Sequence, residues 1–133
     1  LLSEKQGGAR TAVSGMPMVQ FSLVSMLEMV DEGVLSMERM VQLMCHNPAT
    51  LFGIQDRGFI REGMMADLVL VRRDDVPYTV TPSDVLSKCG WSPREGDALH
   101  WRVMSTWVNG ECVWDGHNVD TTVFGRPLRF QRS

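Results

Sequence analysis

Apolar residues recur every three or four positions in the first part of the chain and form short continuous runs later. Val19, Leu23, Leu27 and Val30 share one face of an amphipathic helix, which the spacing predicts from Val19 to about Val30. Gly33 then ends this helix, because glycine readily adopts the left-handed conformation of a C-terminal cap. Residues 1–17 show neither a helical nor a strand period and are predicted to form a loop.

Two further helices are predicted before residue 54. Ser36 begins the second helix, because its side-chain oxygen can accept from a free backbone amide, and Met40 lies on the buried side. Asn47 is predicted to cap a third, short helix, with Pro48 at the first helical position, where no amide donor is needed. Gly53 closes that helix.

The hydrophobic pattern after Gly53 predicts strands. Residues 66–71 read ADLVLV, a continuous apolar run typical of a strand that is covered on both faces. A polar stretch from residue 72 to 75 leads into Pro77, Pro82 and Pro93. These residues predict a long irregular connection with one helical turn near residues 83–86.

The last predicted elements form a β-hairpin. Residues 101–107 and 111–114 flank Asn109 and Gly110, and both central residues of a type I′ turn need a positive φ. The second half is therefore predicted to be a small antiparallel sheet. Because helices give way to strands, we expect a domain boundary near residue 56, with residues 1–56 on one side and 57–133 on the other.

Composition excludes several classes of protein. Thirteen basic and sixteen acidic residues give a net charge near −3, with both signs scattered along the chain. Nucleic-acid binding is not expected, because the overall charge has the wrong sign and the one basic cluster is Arg126, Arg129 and Arg132. No apolar run approaches the roughly 20 residues of a membrane span. The odd number of widely spaced cysteines favours a reducing compartment, the cytoplasm.

The residues that bear chemistry do not form a complete site in the sequence. His46, His100 and His117 are far apart, and Cys45 and His46 are neighbours that a helix would turn about 100° from each other. We therefore predict no catalytic residue and no metal ligand in this chain. His46 is instead expected at a helix end, where it interacts with terminal carbonyls. The chain also does not begin with Met, which suits either a processed product or a piece of a longer protein.

Three segments resemble the C-terminal signature of the amidohydrolase superfamily. They are residues 46–53, which read HNPATLFG, the glycine-punctuated segment 58–63, and the apolar run 66–71. The resemblance implies an α+β fragment: the last loop and helices of a (β/α)8 metal-dependent hydrolase barrel, followed by C-terminal strands of the adjoining β-sandwich. Residues 1–56 would belong to the barrel and residues 57–133 to the sandwich.

Two later segments are similar to the cyclic amidases of this superfamily. Residues 88–96 read KCGWSPREG, and Val108, Asn109 and Gly110 follow. The KCGWSP form and residues 3–8, SEKQGG, most resemble the dihydroorotase family. Allantoinases and hydantoinases remain alternatives, as does a non-catalytic amidohydrolase-like interaction module.

Dihydroorotases reversibly cyclise N-carbamoyl-L-aspartate to dihydroorotate in pyrimidine synthesis. The resemblance implies one or two zinc ions that activate water, bound by ligands outside this chain, the last of which would immediately precede Leu1. The chain alone is therefore expected to bind no zinc and to be inactive. The expected partners are the small-molecule substrate, the remainder of the barrel and, from the family, a second copy in a homodimer.

One loop resembles the family segment whose backbone contacts the bound ring. The predicted substrate-binding residues are Ser14, Gly15, Met16 and Pro17. Backbone N–H and C=O groups suit a cyclic imide, which offers both donors and acceptors. Met16 replaces an expected glycine, so its backbone is less free than the family pattern implies. The alternative is a plain loop that precedes a helix.

Overall fold

A short helical region is followed by a three-stranded antiparallel sheet in the computed structural model, which describes residues 2–8 and 10–131. The helices are α1 (Ser22–Asp31), α2 (Met37–Val41) and α3 (Asn47–Leu51), and the strands are β1 (Leu68–Thr79), β2 (Ala98–Val108) and β3 (Glu111–Trp114). Single 3₁₀ turns lie at Leu2–Lys5, Val19–Phe21 and Pro82–Asp84, and a π-helical turn lies at Gln42–His46. None of the helices among the described residues has both the length and the apolar character needed to cross a bilayer.

The first two predicted helices are confirmed. The 3₁₀ turn Val19–Phe21 leads directly into α1, and Gly33 follows with a φ of 71°. The backbone N–H of Arg39 donates to Ser36 Oγ over 3.2 Å, as expected of a residue that begins α2.

The predicted third helix is not a separate element. His46 and Asn47 both have right-handed helical angles, so α2 continues through the π-helical turn into α3 and Asn47 caps nothing. The N–H of Asn47 donates to the carbonyl of Gln42, five residues back, and this wide turn precedes Pro48, which has no N–H to donate. The predicted place of His46 at a helix end is also wrong, because the helical backbone continues through His46 into α3. The His46 ring stacks on Phe59 with centroids 4.4 Å apart.

The predicted hairpin and antiparallel sheet are confirmed. The strand order is β1-β2-β3, and Val108 pairs with Glu111 at the turn. Asn109 and Gly110 have φ values of 54° and 86°, the two positive angles that a type I′ turn requires.

The predicted irregular connection begins later than expected. Strand β1 extends through Pro77 to Thr79, beyond the predicted polar break. The pairing shifts between Arg73, opposite Trp101, and Tyr78, opposite Leu99, so Pro77 lies where the regular pairing is interrupted. Proline, which has no N–H to donate to the hydrogen-bonded ladder, is tolerated at such a position. The 3₁₀ turn Pro82–Asp84 confirms the helical turn that was predicted near residues 83–86.

The core lies on one side of the sheet, where α1 packs against β2. Phe21, Val24, Val80 and Leu99 form the buried cluster. The start of β1 was predicted to be covered on both faces, which is wrong for this chain because residues 68–70 are between 38% and 55% exposed. The boundary near residue 56 stays a prediction.

Candidate functional site

The loop before α1 is closed on itself by one lysine. The ammonium of Lys5 donates to the backbone carbonyls of Val13 and of Gly15. The backbone N–H of Val13 also donates to the carbonyl of Glu4 over 3.2 Å. We call residues 5–17 the lysine-closed loop. It is preceded by the 3₁₀ turn Leu2–Lys5, a helical turn that the sequence did not predict.

A tight turn forms the far end of the lysine-closed loop. The amides of Thr11 and Ala12 both donate to the carbonyl of Gly8, over 2.8 and 3.0 Å. Gly7 has a steric role, because a Cβ there would lie 2.3 Å from Thr11 Oγ1. Gly15 has a positive φ of 88°, which glycine adopts without steric cost.

The four predicted substrate-binding residues lie together at the end of this loop. Ser14, Gly15 and Met16 are exposed, Met16 by 66%, and Pro17 is half-buried. The Met16 carbonyl accepts from the N–H of Met18 over 3.0 Å. Within the described part of the chain, the N–H groups of Ser14, Gly15 and Met16 donate to no protein acceptor. The loop thus presents three neighbouring donors that a ligand can use.

A second cluster was missed from the sequence. Glu28 and Asp31, one turn apart on α1, and His100 on β2 have ligand atoms within 4.8 Å of one another, close enough to hold a metal ion. The one signal for it is the spacing of the two acidic residues, which places both on the same face of a helix. His100 is 72 residues away from Glu28 along the chain.

The hydrogen bonds of this cluster argue for a structural role. The Glu28 carboxylate accepts from the backbone N–H groups of His100, over 2.5 Å, and Trp101, over 3.1 Å, and lies 3.2 Å from His100 Nδ1. Asp31 accepts from Arg73 Nε over 2.7 Å and from Trp101 Nε1 over 3.1 Å. A cation would have to displace these donors and tolerate the guanidinium, so the group does not fit a catalytic metal with an open coordination position. It fastens α1 to the sheet.

An open groove of about 940 Å³ lies beside α1, and its lining includes Arg72, Asp74, Tyr78 and Arg102. Asp74 accepts from Arg72 Nε over 2.6 Å and from Arg102 Nε over 3.1 Å. The Arg72 guanidinium, more than that of Arg102, lowers the pKa of the Asp74 carboxyl, while burial raises the pKa of Tyr78. Arg102 Cζ also lies 3.6 Å from the centroid of the Tyr78 ring, and the Asp74 carboxylate is already paired with both guanidinium groups.

The family assignment comes from a match that covers more than half of the chain. The profile of the amidohydrolase family matches residues 24–114, which include most of α1, all three strands and the Glu28 cluster. The chain belongs to the amidohydrolase family. The predicted resemblance to this family is thereby confirmed.

The individual relatives to which the chain is similar include a dihydroorotase, an allantoinase and an L-hydantoinase. The chain is 39% identical to a dihydroorotase of Halobacterium salinarum over 96% of this chain and 29% of that protein. It is 32% identical to an allantoinase of Bacillus velezensis over 83% of this chain and 24% of that protein. It also superposes on an L-hydantoinase (dihydropyrimidinase) from Arthrobacter aurescens with a TM-score of 0.77 and 32% identity, over 84% of this chain and 25% of that one. The chain therefore spans less than a third of the length of each relative.

Proposed function

We propose that the chain is the C-terminal part of a dihydroorotase, which reversibly cyclises N-carbamoyl-L-aspartate to dihydroorotate in pyrimidine biosynthesis. The observation that carries this proposal is the 39% identity to the Halobacterium salinarum dihydroorotase over nearly the whole chain. Residues 1–56 then supply the last loop and helices of a (β/α)8 barrel. Residues 57–133 supply the C-terminal strands of the adjoining β-sandwich.

Within that enzyme, the lysine-closed loop is proposed to form one wall of the substrate site. The N–H groups of Ser14, Gly15 and Met16, which have no acceptor among the described residues, support this role, because a cyclic imide and a carboxylate both carry oxygens that accept hydrogen bonds. Pro17, which has no N–H, ends the row of donors. The contribution of this chain is recognition by the backbone, and no side chain in it is assigned to proton transfer.

The metal is proposed to be bound by the remainder of the barrel. One or two zinc ions there would supply an activated water. The Glu28 cluster is not a substitute, because its carboxylates already accept several hydrogen bonds. The chain alone is accordingly proposed to be inactive. A cytoplasmic location and a homodimer complete the proposal, and gel filtration of the complete enzyme tests the dimer.

The allantoinase and hydantoinase similarities favour a second candidate, a cyclic amidase with another substrate. The complete polypeptide that carries these residues can be assayed in parallel with dihydroorotate, allantoin and hydantoin. We expect dihydroorotate to react fastest. Faster turnover of allantoin or hydantoin would support the second candidate instead. Inactivity towards all three, together with the absence of a His-x-His pair from the polypeptide, would favour a non-catalytic interaction module.

A further inference from the structure

Lys5 determines which backbone groups the loop leaves free. A lysine ammonium has three donors and no acceptor, and two of these donors are directed at the carbonyls of Val13 and Gly15. The Met16 carbonyl accepts from the N–H of Met18. Three of the four carbonyls from Val13 to Met16 thus have a donor within the described part of the chain, whereas the N–H groups of Ser14, Gly15 and Met16 have no acceptor there.

This asymmetry gives the loop a chemical preference. With the carbonyls of Val13 and Gly15 bound by Lys5 and that of Met16 bound by Met18, the groups that remain for a ligand are mainly N–H donors, which bind oxygen acceptors. Gly15 adopts the positive φ of this conformation without steric cost, because glycine has no Cβ. A ligand rich in carbonyl or carboxylate oxygens fits this surface, and a ligand that presents mainly N–H groups does not.

We propose that Lys5 is a positioning residue for substrate. It holds the lysine-closed loop in the conformation in which the amides of Ser14, Gly15 and Met16 face the oxygens of a bound cyclic imide or its open carboxylate form. Lys5 itself does not contact the reacting atoms. The identity of the ligand rests on the proposed function, whereas the closure of the loop by Lys5 does not.

Kinetics of the complete enzyme test the role of Lys5 in substrate binding. Lys5→Met removes both charge-assisted hydrogen bonds, and we expect the KM of the cyclic substrate to rise about tenfold while kcat stays within about twofold. Lys5→Arg keeps a cation at this position and should recover part of the loss. Lys88→Met is the matched control, since the exposed Lys88 is the other lysine of the chain, and it should leave KM unchanged. An unchanged KM in Lys5→Met, or a fall in kcat alone, would overturn the positioning role.

Limited proteolysis tests the closure of the loop without reference to any substrate. Arg10 lies exposed within the lysine-closed loop, so the rate of tryptic cleavage after Arg10, followed by mass spectrometry, reports how often the loop opens. We expect Lys5→Met to accelerate this cleavage severalfold and Lys88→Met to leave it unchanged. Equal cleavage in Lys5→Met and wild type would overturn the inference. If the wild type reacts with none of the cyclic amides but this acceleration is observed, the proposed function fails and the role of Lys5 in closing the loop stands.

Discussion

The lysine-closed loop and the packed unit of α1 with the sheet are held in place by different forces. Among the described residues of the loop none is buried, and its closure depends on Lys5 and a few backbone hydrogen bonds. The packed unit buries Phe21 and Leu99 and adds the carboxylate of Glu28. The proposed recognition segment therefore contributes little to stability, which depends mainly on the packed unit of α1 with the sheet.

This separation has a physical basis. Segments with few buried apolar contacts open at low free energy, whereas the buried core opens only with global unfolding. Substitutions in the two regions should therefore differ in kind. Those in the core should change the free energy of unfolding, and those in the loop should change ligand binding and protease access.

Truncation of the core should have the largest effect on stability. Leu99 is fully buried, so we expect Leu99→Ala to lower the free energy of unfolding by about 3 kcal/mol through lost burial and a residual cavity. Val19→Ala, at a side chain that is 90% exposed, should cost less than about 0.5 kcal/mol. Urea denaturation followed by tryptophan fluorescence measures both values. Similar losses for the two variants would contradict the assigned core.

Substitutions at two glycines after α3 distinguish the cost of steric crowding from the cost of backbone strain. A Cβ on Gly58 would lie 2.3 Å from Ala49 Cβ and 3.0 Å from the Cys45 carbonyl oxygen, and φ there is +84°. Gly63 has nearly the same φ, +82°, but a Cβ added to it would meet no atom of the described residues within 4 Å. We expect Gly58→Ala to cost about 2 kcal/mol or more and Gly63→Ala about 1 kcal/mol. Equal losses in thermal denaturation would show that the contact with α3 is not tight.

The Glu28 cluster should have an intermediate effect. Glu28→Gln replaces one of the two acceptor oxygens with a donor that faces the His100 ring and removes the charge, so we expect a loss of about 1–2 kcal/mol. Glu62→Gln, at an exposed position, is the matched control and should change stability by less than about 0.5 kcal/mol. Adding zinc during the denaturation experiment is informative as well. Strong stabilisation of the wild type but not of Glu28→Gln would contradict a purely structural cluster.

The smallest predicted effect concerns acid stability at the 3₁₀ turn. The Thr81 hydroxyl, with its backbone N–H, lowers the pKa of Asp84 below its ordinary value of 3.8. The folded state therefore favours the ionised carboxyl, and this stabilisation is present above that ordinary value and lost as the pH falls through the lower folded pKa. We expect Asp84→Asn to cost less than about 1 kcal/mol near pH 6 and almost nothing near pH 2. A difference between wild type and variant that does not change with pH would contradict this assignment.

Features that depend on neighbouring residues were predictable from the sequence, and features that depend on distant partners were not. Asn109 and Gly110 specify their turn locally, and Ser36 specifies the start of α2. The extension of β1 through Pro77 depends on pairing with β2, which no local pattern shows. The predicted substrate loop was found as one exposed segment, but its closure by Lys5 was not foreseen, because an ammonium can reach many carbonyls.

The helix break predicted at Asn47 failed for a related reason. An Asn-Pro pair satisfies every local criterion for a helix start, yet the structure accommodates Pro48 by widening the preceding turn. The contact between Glu28 and His100 could likewise not be predicted from the sequence, because it joins residues that are 72 positions apart.

Metal content and turnover of the purified 133-residue chain test the central claim most directly. We predict less than about 0.1 zinc ion per chain and no interconversion of N-carbamoyl-L-aspartate and dihydroorotate, since the one cluster among the described residues that is close enough to hold a metal is occupied by hydrogen-bond donors. The complete polypeptide, measured in parallel, should contain zinc and be active. Stoichiometric zinc together with turnover in the 133-residue chain would contradict the account.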